Sequence, residues 1–345
     1  MRIAVINSGS SSLKFKLFDM KDESVVYELL VEHIGEKNSQ IKNHHEALQS
    51  IDADFASIDM IGHRVVHGGE EFKQPTILDA EVLKKIQNLN HLAPLHNPAN
   101  IEGIKVAMKK APKALQVAVF DTAFHSTMPQ EAYMYALPFE MYEEHKIRRY
   151  GFHGTSHSYL LKECAKILKK DKKELNIITM HLGNGASICA IENGKSIDTS
   201  MGFTPLEGLV MGTRCGDIDP AIVLYMQREL SLGIEEVDNI LNKKSGLLGI
   251  CENSDIREIL NSDAQNSKLA LKMMIRRARK YVGAYMALLG RVDAVIFSGG
   301  IGENSKYIRD EIVKNNLIDK SKVFVIKTDE ELEIARECLK LSKSL

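Results

Sequence analysis

A strand, a loop of small polar residues and a returning strand occur twice in this chain of 345 residues. In the first copy, the apolar residues 3–6 lead into NSGSSS at 7–12, and residues 13–17 then alternate between apolar and polar side chains. In the second copy, an apolar run at 177–180 leads into HLGNGAS, and residues 188–191 return to a turn centred on Asn193-Gly194. Alternation is typical of half-buried strands, and Asn-Gly is typical of hairpin turns. The repetition indicates two related domains, with two unrelated hairpins as the alternative.

Segments with helical periodicity separate the predicted strands. They cover residues 80–89, 98–110, 156–168 and 267–289. Thr155 is the expected N-cap of the third helix. A buried strand at 293–297 leads into the glycine loop SGGIGEN, and another helix is expected to begin at Ser305. Strands that alternate with helices indicate an α/β protein, and the length of the chain indicates two domains.

The charge balance limits the partners that the chain can attract. Lys and Arg number 45, and Asp and Glu number 46. No strong field therefore favours nucleic acid or an anionic membrane, and any anion site must be built locally. No apolar run approaches the roughly 20 residues that span a bilayer. The five cysteines are scattered and include no C-x-x-C pair, so we expect reduced thiols, a cytoplasmic protein and no zinc site.

The opening stretch NSGSSSLK is not a Walker A loop, because it has one glycine, lacks a Gly-Lys pair and leads into a strand. A hairpin turn can still hold an anion through Ser10, Ser12 and Lys14 together with backbone N–H groups. A plain turn is the alternative. SGGIGEN lacks the third glycine of a dinucleotide fingerprint, so it predicts either close approach to a nucleotide or tight helix–strand packing.

Two arginines lie in glycine-flanked, irregular segments, Arg64 in GHRVVHGG and Arg214 in MGTRCGDIDP. Such arginines are often bidentate clamps for phosphate or carboxylate, and a salt bridge that braces a loop is the alternative. Asp121 ends an apolar strand in VAVFDTAFH, where it is either an active-site carboxylate or a helix N-cap. The histidine pairs with i, i+4 spacing lack the H-E-x-x-H pattern of zinc enzymes, and a histidine near phosphate can instead donate a hydrogen bond.

Ten stretches, taken together and in this order, make the chain resemble the acetate/propionate kinase family. They are INSGSSSLK, GHRVVHGG, LAPLHNP, VFDTAFH, RRYGFHGTSH, HLGNGASICAI, DTSMGFTPLEGLVMGTRCGDIDP, SGLLG, NSDIR and SGGIGENS. The resemblance implies an α/β fold of two duplicated actin/Hsp70/hexokinase-like (ribonuclease H-like) domains around a nucleotide cleft. The implied N-terminal domain is residues 1–125 with 331–345, to which the C-terminal helix returns, and the implied nucleotide-binding domain is 126–330.

The resemblance implies reversible transfer of the γ-phosphoryl group of ATP to acetate, giving ADP and acetyl phosphate, with Mg²⁺ or alternatively Mn²⁺. Propionate kinase is the close alternative, because one methylene changes binding by only about 1–3 kcal/mol. A nucleotide-dependent switch or chaperone module is the alternative from another class. The implied partners are acetate, ATP and a second copy of the chain, with no nucleic acid and no membrane.

The matching motifs imply a role for each of a set of residues. The implied catalytic residues are Asp121, Arg64, Arg214 and His153. The implied substrate-binding residues are Arg64, Val66, Leu95, Phe152 and Pro205. The implied nucleotide-binding residues are Ser10, Ser12, Lys14, His181, Gly183, Asn184, Gly185, Asp255, Ile256, Arg257, Gly300, Ile301 and Asn304. The implied metal-side residues are Asn7 and Glu330, with Glu331 as the alternative to Glu330.

The chemistry explains these residue types. A carboxylate acceptor is ionised at neutral pH, so no strong base is needed, and Asp121 is expected to orient an arginine or a metal-bound water. The sequence departs from the family pattern at Ser8, where the family usually has Ala. It is also shorter than usual, with losses expected in 34–59 and in 312–328.

Overall fold

A computed structural model describes residues 1–9, 12–35, 39, 41–94, 96–315 and 317–345. By its internal contacts the chain forms two compact units. The first unit contains Met1–Ser126, Gly154–Tyr159 and Asp329–Leu345, and the second contains Thr127–His153 and Leu160–Thr328. The assignment of two domains to residues 1–125 with 331–345 and to 126–330 stays a prediction.

The described residues form eleven strands and fourteen helices. The strands are β1 Arg2–Ser8, β2 Leu13–Asp19, β3 Ser24–Val31, β4 Met60–Val65, β5 Thr76–Ile77, β6 Leu115–Phe120, β7 Ile177–Leu182, β8 Ala186–Glu192, β9 Lys195–Thr199, β10 Ala294–Ser298 and β11 Val323–Val325. The helices are α1 His44–Gln49, α2 Ala80–Asn88, α3 Asn97–Lys110, α4 Gln130–Tyr133, α5 Phe139–Glu143, α6 Gly154–Leu168, α7 Ala221–Arg228, α8 Ile234–Lys243, α9 Gly246–Cys251, α10 Ile256–Asn261, α11 Gln265–Leu289, α12 Gly299–Asn304, α13 Lys306–Ile312 and α14 Glu330–Ser342. None of these described helices combines the length and the apolar character that crossing a membrane requires.

The first unit is built on a six-stranded sheet in the order β3-β2-β1-β4-β6-β5. Strand β1 pairs antiparallel with β2 and parallel with β4, and β4 pairs parallel with β6. The carboxyl ends of β1, β4 and β6 therefore lie at the same edge of the sheet, which is where ligands bind in open α/β sheets. Asn7, Arg64 and Asp121 lie at these three strand ends.

Helices cover both faces of this sheet. Ala4 and Ile6 of β1 pack with residues of α1 and α3, whereas Ile3 and Val5 pack with residues of α14. Alternate side chains of a strand point to opposite faces, and all four of these are at most 2% exposed. The short apolar run near the N-terminus is thus a strand that is buried on both faces, as is usual where helices cover a sheet on both sides.

The second unit contains a five-stranded sheet in the order β11-β10-β7-β8-β9. Strands β7, β8 and β9 form an antiparallel meander, and β10 pairs parallel with both β7 and β11. Read from the meander, the order β9-β8-β7-β10-β11 repeats the order β3-β2-β1-β4-β6 of the first sheet, with the same strand directions. The repeated hairpin in the sequence therefore reflects two sheets of one topology, and the alternative of unrelated hairpins is wrong.

The predicted strands and long helices are confirmed, with ends that agree within two residues. Two local predictions are wrong. Thr155 is not an N-cap, because α6 begins at Gly154 and is preceded by His153 with a left-handed φ of +57°. SGGIGEN is not a loop, because its last six residues form α12 directly after β10, and only then does α13 follow.

Candidate active site

The hairpin loop between β1 and β2 is closed by a hydrogen bond from the Gly9 N–H to the Ser12 carbonyl oxygen, at 2.8 Å. A Cβ on Gly9 would lie only 2.8 Å from the Ser12 hydroxyl oxygen, so the tight turn leaves little room for a side chain. Ser10 lies outside the described residues, and its role on the phosphate side stays a prediction. Strand β2 follows the turn, which distinguishes this loop from a Walker A loop.

One carboxylate, that of Glu331, holds both Lys14 and Asn7. Lys14 Nζ lies 2.8 Å from Glu331 Oε2, and Asn7 Nδ2 donates to Glu331 Oε1 at 2.9 Å. Burial acts to lower the pKa of Lys14, but Glu331, with help from Glu28 and Asp329, outweighs it, so that pKa is raised and the amine stays charged. The sequence suggested Glu331 only as an alternative metal ligand, whereas here it fixes the ends of β1 and β2.

Arg64, at the end of β4, forms an ion pair with Asp121, which follows β6, with 2.8 Å between Nη2 and Oδ2. The other carboxylate oxygen of Asp121 accepts a hydrogen bond from Thr155 Oγ1 at 2.8 Å. Burial acts to lower the pKa of Arg64, but the carboxylates of Asp121, Glu330 and Glu331 together outweigh it and the pKa is raised. Asp121 is 1% exposed. Its geometry is that of a carboxylate that orients an arginine, and the contact from Thr155 was not predicted.

Val66 lies two residues after Arg64 and is 4% exposed. Its N–H donates to Asn100 Oδ1 at 3.1 Å, and Asn100 Nδ2 donates to the Ser8 carbonyl at 2.9 Å. Asn100 therefore ties the end of β4 to the end of β1. Sequence reasoning missed Asn100, although a polar residue among the apolar positions of α3 was an available signal. Leu95, predicted to line the acyl pocket with Val66, lies outside the described residues.

Glu330, the first residue of α14, has a buried carboxylate oxygen, Oε1, without a hydrogen-bond partner among the described residues. Burial raises the pKa of Glu330, the charges of Asp121 and Glu331 raise it further, and Arg64 opposes them. A carboxylate oxygen in this state is well suited to a hard divalent cation. Both oxygens of Glu331 are already bonded to Asn7 and Lys14, so the geometry favours Glu330 as the metal-side carboxylate.

The oxygen donors near Glu330 fit a metal ion that takes only some of its ligands from the protein. The amide oxygen of Asn7 accepts a long hydrogen bond of 3.4 Å from Arg64 Nη1. The described residues include no group of three or more His, Cys, Asp and Glu side chains that could hold a metal ion by themselves. Mg²⁺ is commonly bound through one or two carboxylates together with water and substrate phosphates, so a small protein donor set is compatible with it.

In the second unit, His153 is fixed by two contacts. Its Nδ1 lies 2.9 Å from Ser187 Oγ, and its ring stacks on that of His181 with centroids 4.3 Å apart. The Nε2 edge of the ring faces Gly185, where a Cβ would lie 3.6 Å away. The backbone of His153 has a left-handed φ of +57°, which is uncommon for a non-glycine residue. Ser187 was not predicted to take part.

Arg214 approaches the same glycine. A Cβ on Gly185 would lie 3.0 Å from Arg214 Nη2, and Nη1 donates to the Pro205 carbonyl at 2.8 Å. Burial lowers the pKa of Arg214, and no carboxylate within the described part of the chain pairs with it. The structure thus brings His153, Gly185 and Arg214 together. Phe152, predicted to line the acyl pocket, is 2% exposed beside His153.

The loop between β7 and β8 is closed as the first hairpin is, by a hydrogen bond from the Gly183 N–H to the Gly185 carbonyl at 3.0 Å. A cavity of about 720 Å³ opens beside it, which is within the usual size range of small-molecule sites. All the residues predicted for the adenosine side line it, together with two of the predicted phosphate loop. They are Asp255, Ile256, Arg257, Gly300, Ile301 and Asn304, with Gly183 and Asn184. Tyr307 also lines this cavity and was not predicted.

Known proteins resemble the chain over nearly its whole length. The model of the acetokinase family matches residues 2–54 and 45–340, two ranges that overlap within the segment expected to be shortened. An acetate kinase of Sulfurimonas denitrificans is 54% identical, and the match covers 98% of each chain. Acetate kinase from Porphyromonas gingivalis has a TM-score of 0.91 and 38% identity, and covers 99% of each chain.

A propionate kinase structure from Francisella tularensis has the same TM-score of 0.91, with 43% identity over 97% of this chain and 98% of that one. Together with the two sheets of one topology, these likenesses confirm the predicted fold class. The family model covers well over half of the sequence. The chain therefore belongs to the acetokinase family.

Proposed function

We propose that the chain catalyses the reversible transfer of the γ-phosphoryl group of ATP to acetate, giving acetyl phosphate and ADP. The observation that carries this assignment is the end of β4. There the partly buried guanidinium of Arg64, held by Asp121, is followed two residues later by the buried side chain of Val66. A fixed cation beside a small apolar side chain is what a short carboxylate with a methyl group requires.

Arg64 would bind the acetate carboxylate and orient it towards the γ-phosphorus atom of ATP. Acetate is ionised at neutral pH, so its oxygen can attack without losing a proton. Asp121 is already bonded to Arg64 and Thr155, and it would therefore act by orientation rather than as a base. As the new bond from the acetate oxygen to phosphorus forms, the bond to the bridging oxygen breaks and its electrons remain on ADP. No proton transfer is needed in this step.

The second unit would bind the nucleotide. The cavity lined by Asp255 and Asn304 would take the adenosine, and the loop at Gly183–Gly185 would take the phosphates through backbone N–H groups. Arg214 carries a charge that no described carboxylate neutralises, so it can stabilise the negative charge on the transferring group. His153, with Nδ1 held by Ser187, would donate a hydrogen bond to a phosphoryl oxygen.

The divalent cation expected for this family would be held by Glu330 through Oε1, with Asn7 as a second oxygen donor. When bound, a divalent cation supplies positive charge to the phosphate oxygens. We propose that Mg²⁺ is the physiological ion, because the small number of protein donors suits an ion that keeps waters and substrate phosphates as ligands.

The reaction can be tested by trapping acyl phosphate with hydroxylamine in a mixture of the protein, ATP, Mg²⁺ and a carboxylate. We expect hydroxamate with acetate, and its loss when Mg²⁺ is chelated. Parallel reactions with propionate and butyrate compare the acyl chains. If none of the three carboxylates gives acyl phosphate, the proposed activity is wrong.

Propionate is the second candidate substrate, because the propionate kinase from Francisella tularensis shares 43% identity and a TM-score of 0.91 with this chain. The two acids differ by one methylene, which a pocket distinguishes by only about 1–3 kcal/mol. A kcat/KM for propionate above that for acetate would reverse the preference.

We also propose that the chain is a cytoplasmic homodimer. Its five cysteines are free thiols, as expected in a reducing compartment. Large apolar side chains cluster on and after α7, where Tyr225 is 56% exposed and Ile234 is 71% exposed, together with the exposed Leu224 and Leu230. Such a patch is typical of a protein interface. Leu224→Asp combined with Ile234→Asp should give a monomer in light scattering, and a wild-type protein that is already monomeric would contradict the dimer.

A further inference from the structure

Helix α11 is strongly basic in a chain whose charges otherwise balance. Over its 25 residues it contains no Asp or Glu. Its cationic side chains are Lys268, Lys272, Arg276, Arg277, Arg279 and Lys280. The whole chain has 45 Lys and Arg and 46 Asp and Glu, so a helix of this length with cations alone is a local excess that calls for an explanation.

Three of these cations have structural roles. Lys268 forms an ion pair with Asp263 at 3.0 Å. Arg277 lies 3.3 Å from an Asp217 carboxylate oxygen and also donates to the Gly208 carbonyl. Arg279 donates to the backbone carbonyl of Glu311, near the end of α13, and to that of Lys314, two residues after it. These contacts account for half of the positive charge of the helix.

The other three cations, Lys272, Arg276 and Lys280, form a stripe at i, i+4 and i+8 on one exposed side of α11. Among the residues that the structure describes, no carboxylate forms an ion pair with any of them. Each pair of like charges at i, i+4 spacing destabilises a helix by about 0.2–0.5 kcal/mol. The arrangement is therefore unfavourable unless something anionic binds to it.

The stripe lines a groove with a volume of about 470 Å³ between α11 and α13. The lining residues are Lys272, Ile275, Arg276, Arg279, Lys280, Tyr307 and Glu311. Glu311, the one acid among them, is paired with Lys314 at 3.0 Å. Three cations without a described carboxylate partner, together with Arg279, thus line a space that can hold a small molecule.

We propose that this groove binds a compact polyanion, such as an oligophosphate. Arginine and lysine bind phosphate oxygens with strong, charge-assisted hydrogen bonds, and convergent cations favour a ligand with two or more negative charges. The groove is distinct from the nucleotide cavity, because Lys272, Arg276 and Lys280 do not line that cavity and only Tyr307 borders both. An open groove of this size suits a small anion rather than an extended nucleic acid, which needs a longer basic track.

Titration calorimetry with sodium tripolyphosphate tests the groove without any requirement for kinase activity. We expect the double variant Lys272→Ala/Arg276→Ala to bind at least about tenfold more weakly than the wild type. The matched control is Lys243→Ala/Lys244→Ala, which removes the same charge from exposed positions at the end of α8 and should bind as the wild type does. Excess ADP in every titration keeps the nucleotide site occupied, so that the phosphate side of that site does not contribute to the measured binding. The wild type and the two double variants should have the same melting temperature within error.

Equal binding by the wild type and the Lys272→Ala/Arg276→Ala variant would overturn the site. An equal loss in the Lys243→Ala/Lys244→Ala control would show a general charge effect and would also overturn it. A single-stranded DNA oligonucleotide that bound through the same side chains more tightly than tripolyphosphate would overturn the small-anion ligand.

A fluorescence reporter can locate the binding. The chain contains no tryptophan, so Tyr307→Trp would place a single indole at the border of the groove. Tripolyphosphate should change its emission, and adding Lys272→Ala and Arg276→Ala should abolish that change. An emission change that survives those two substitutions would place the anion elsewhere.

Discussion

The two units present the same sheet topology but differ in the charges at their strand ends. In the first unit, Arg64 is bonded to Asp121, and the carboxylates of Glu330 and Glu331 act on its charge. In the second unit, Arg214 donates to a backbone carbonyl, and no described carboxylate pairs with it. Burial dominates the pKa of Arg214 and lowers it, whereas the pKa of Arg64 is raised.

This difference indicates a division of labour between two copies of one architecture. Carboxylates beside a fixed arginine suit a cation and a carboxylate substrate, because the arginine is oriented and one carboxylate oxygen still needs a partner. An arginine without a counter-ion suits an anion, because the positive charge is not yet neutralised. Strand order alone therefore does not specify the chemistry of a strand end, since the side chains at that end determine it.

Removing either arginine tests the catalytic part of this comparison. We expect Arg64→Ala and Arg214→Ala each to lower kcat by roughly 10²-fold or more, on the scale of one lost preorganised donor. Arg214→Lys should recover part of the loss, because it restores the charge without the planar fork. Steady-state rates of acyl phosphate formation measure all three, and alanine variants with near-normal turnover would show that neither arginine acts as proposed.

The same two variants should differ in stability. Arg64→Ala removes the counter-ion of the buried Asp121 carboxylate, and breaking a buried ion pair costs about 3–5 kcal/mol. Arg214→Ala leaves only a carbonyl oxygen without its partner, and a smaller loss follows. Thermal unfolding should therefore show a clear decrease in melting temperature for Arg64→Ala, and Asp121→Asn in that background should restore part of it. Equal losses in the two alanine variants would remove the contrast between the units.

Metal dependence should distinguish the two adjacent glutamates. Glu330→Gln weakens a donor that we assign to the divalent ion, so the Mg²⁺ concentration for half-maximal activity should rise by about tenfold or more. Glu331→Gln should change this concentration less, because its two oxygens hold Lys14 and Asn7 instead. A larger shift in the Glu331 variant than in the Glu330 variant would exchange the two roles.

The smallest expected effect is a loss of stability of the first unit at acidic pH. His63 lies in β4 of the first unit, and its Nε2 is 2.8 Å from Gln116 Oε1. Burial lowers the pKa of His63 to about 4, against 6.5 for the ordinary imidazole, and the hydrogen bond to Gln116 opposes this only in part. The unfolded chain therefore binds the proton more readily, so the stability contributed by neutral His63 is complete above pH 6.5 and is lost as the pH falls towards 4.

At pH 5.5 this loss is about 1 kcal/mol relative to neutral pH. Hydrogen exchange of peptides from β1, β4 and β6, compared at pH 7 and pH 5.5 after correction for intrinsic rates, measures it. His63→Gln should flatten the dependence. A wild-type protection pattern that is the same at both pH values would contradict the assignment of His63 as a buried neutral group.

Much of the fold could be predicted because its signals are local. The apolar run of β1, the alternation of β2 and the long apolar stripe of α11 each identify an element within a few residues of its ends. The wrong predictions were also local: a threonine suggested a cap, while the chain enters α6 through a left-handed histidine. The contacts of that histidine are with Ser187 and His181, more than 25 residues away, so no short window of sequence contains them.

The motifs of the site could be identified from the sequence. The hydrogen-bond and ion-pair partners of the individual residues could not. Glu330 and Glu331 are adjacent and chemically alike, and only the structure shows that one is bonded to Lys14 while the other has a buried oxygen without a partner. Asn100 and Thr155 likewise lie in segments that look like ordinary helix. Thr155 is bonded to Asp121, 34 residues earlier, and Asn100 to Ser8, 92 residues earlier. Local sequence patterns do not reveal such distant partners.

The position of α14 has a consequence for biosynthesis. Its Ile334 and Cys338 are fully buried and pack with residues of β1, yet α14 follows every other element in chain order. During synthesis, the face of the first sheet that α14 covers therefore stays uncovered until the whole second unit has been translated. The same helix brings Glu330 and Glu331, so a nascent chain that already has its arginines still lacks the carboxylates assigned to the metal and to Lys14. We therefore expect catalytic competence to arise only after α14 has been translated, later than the whole second unit.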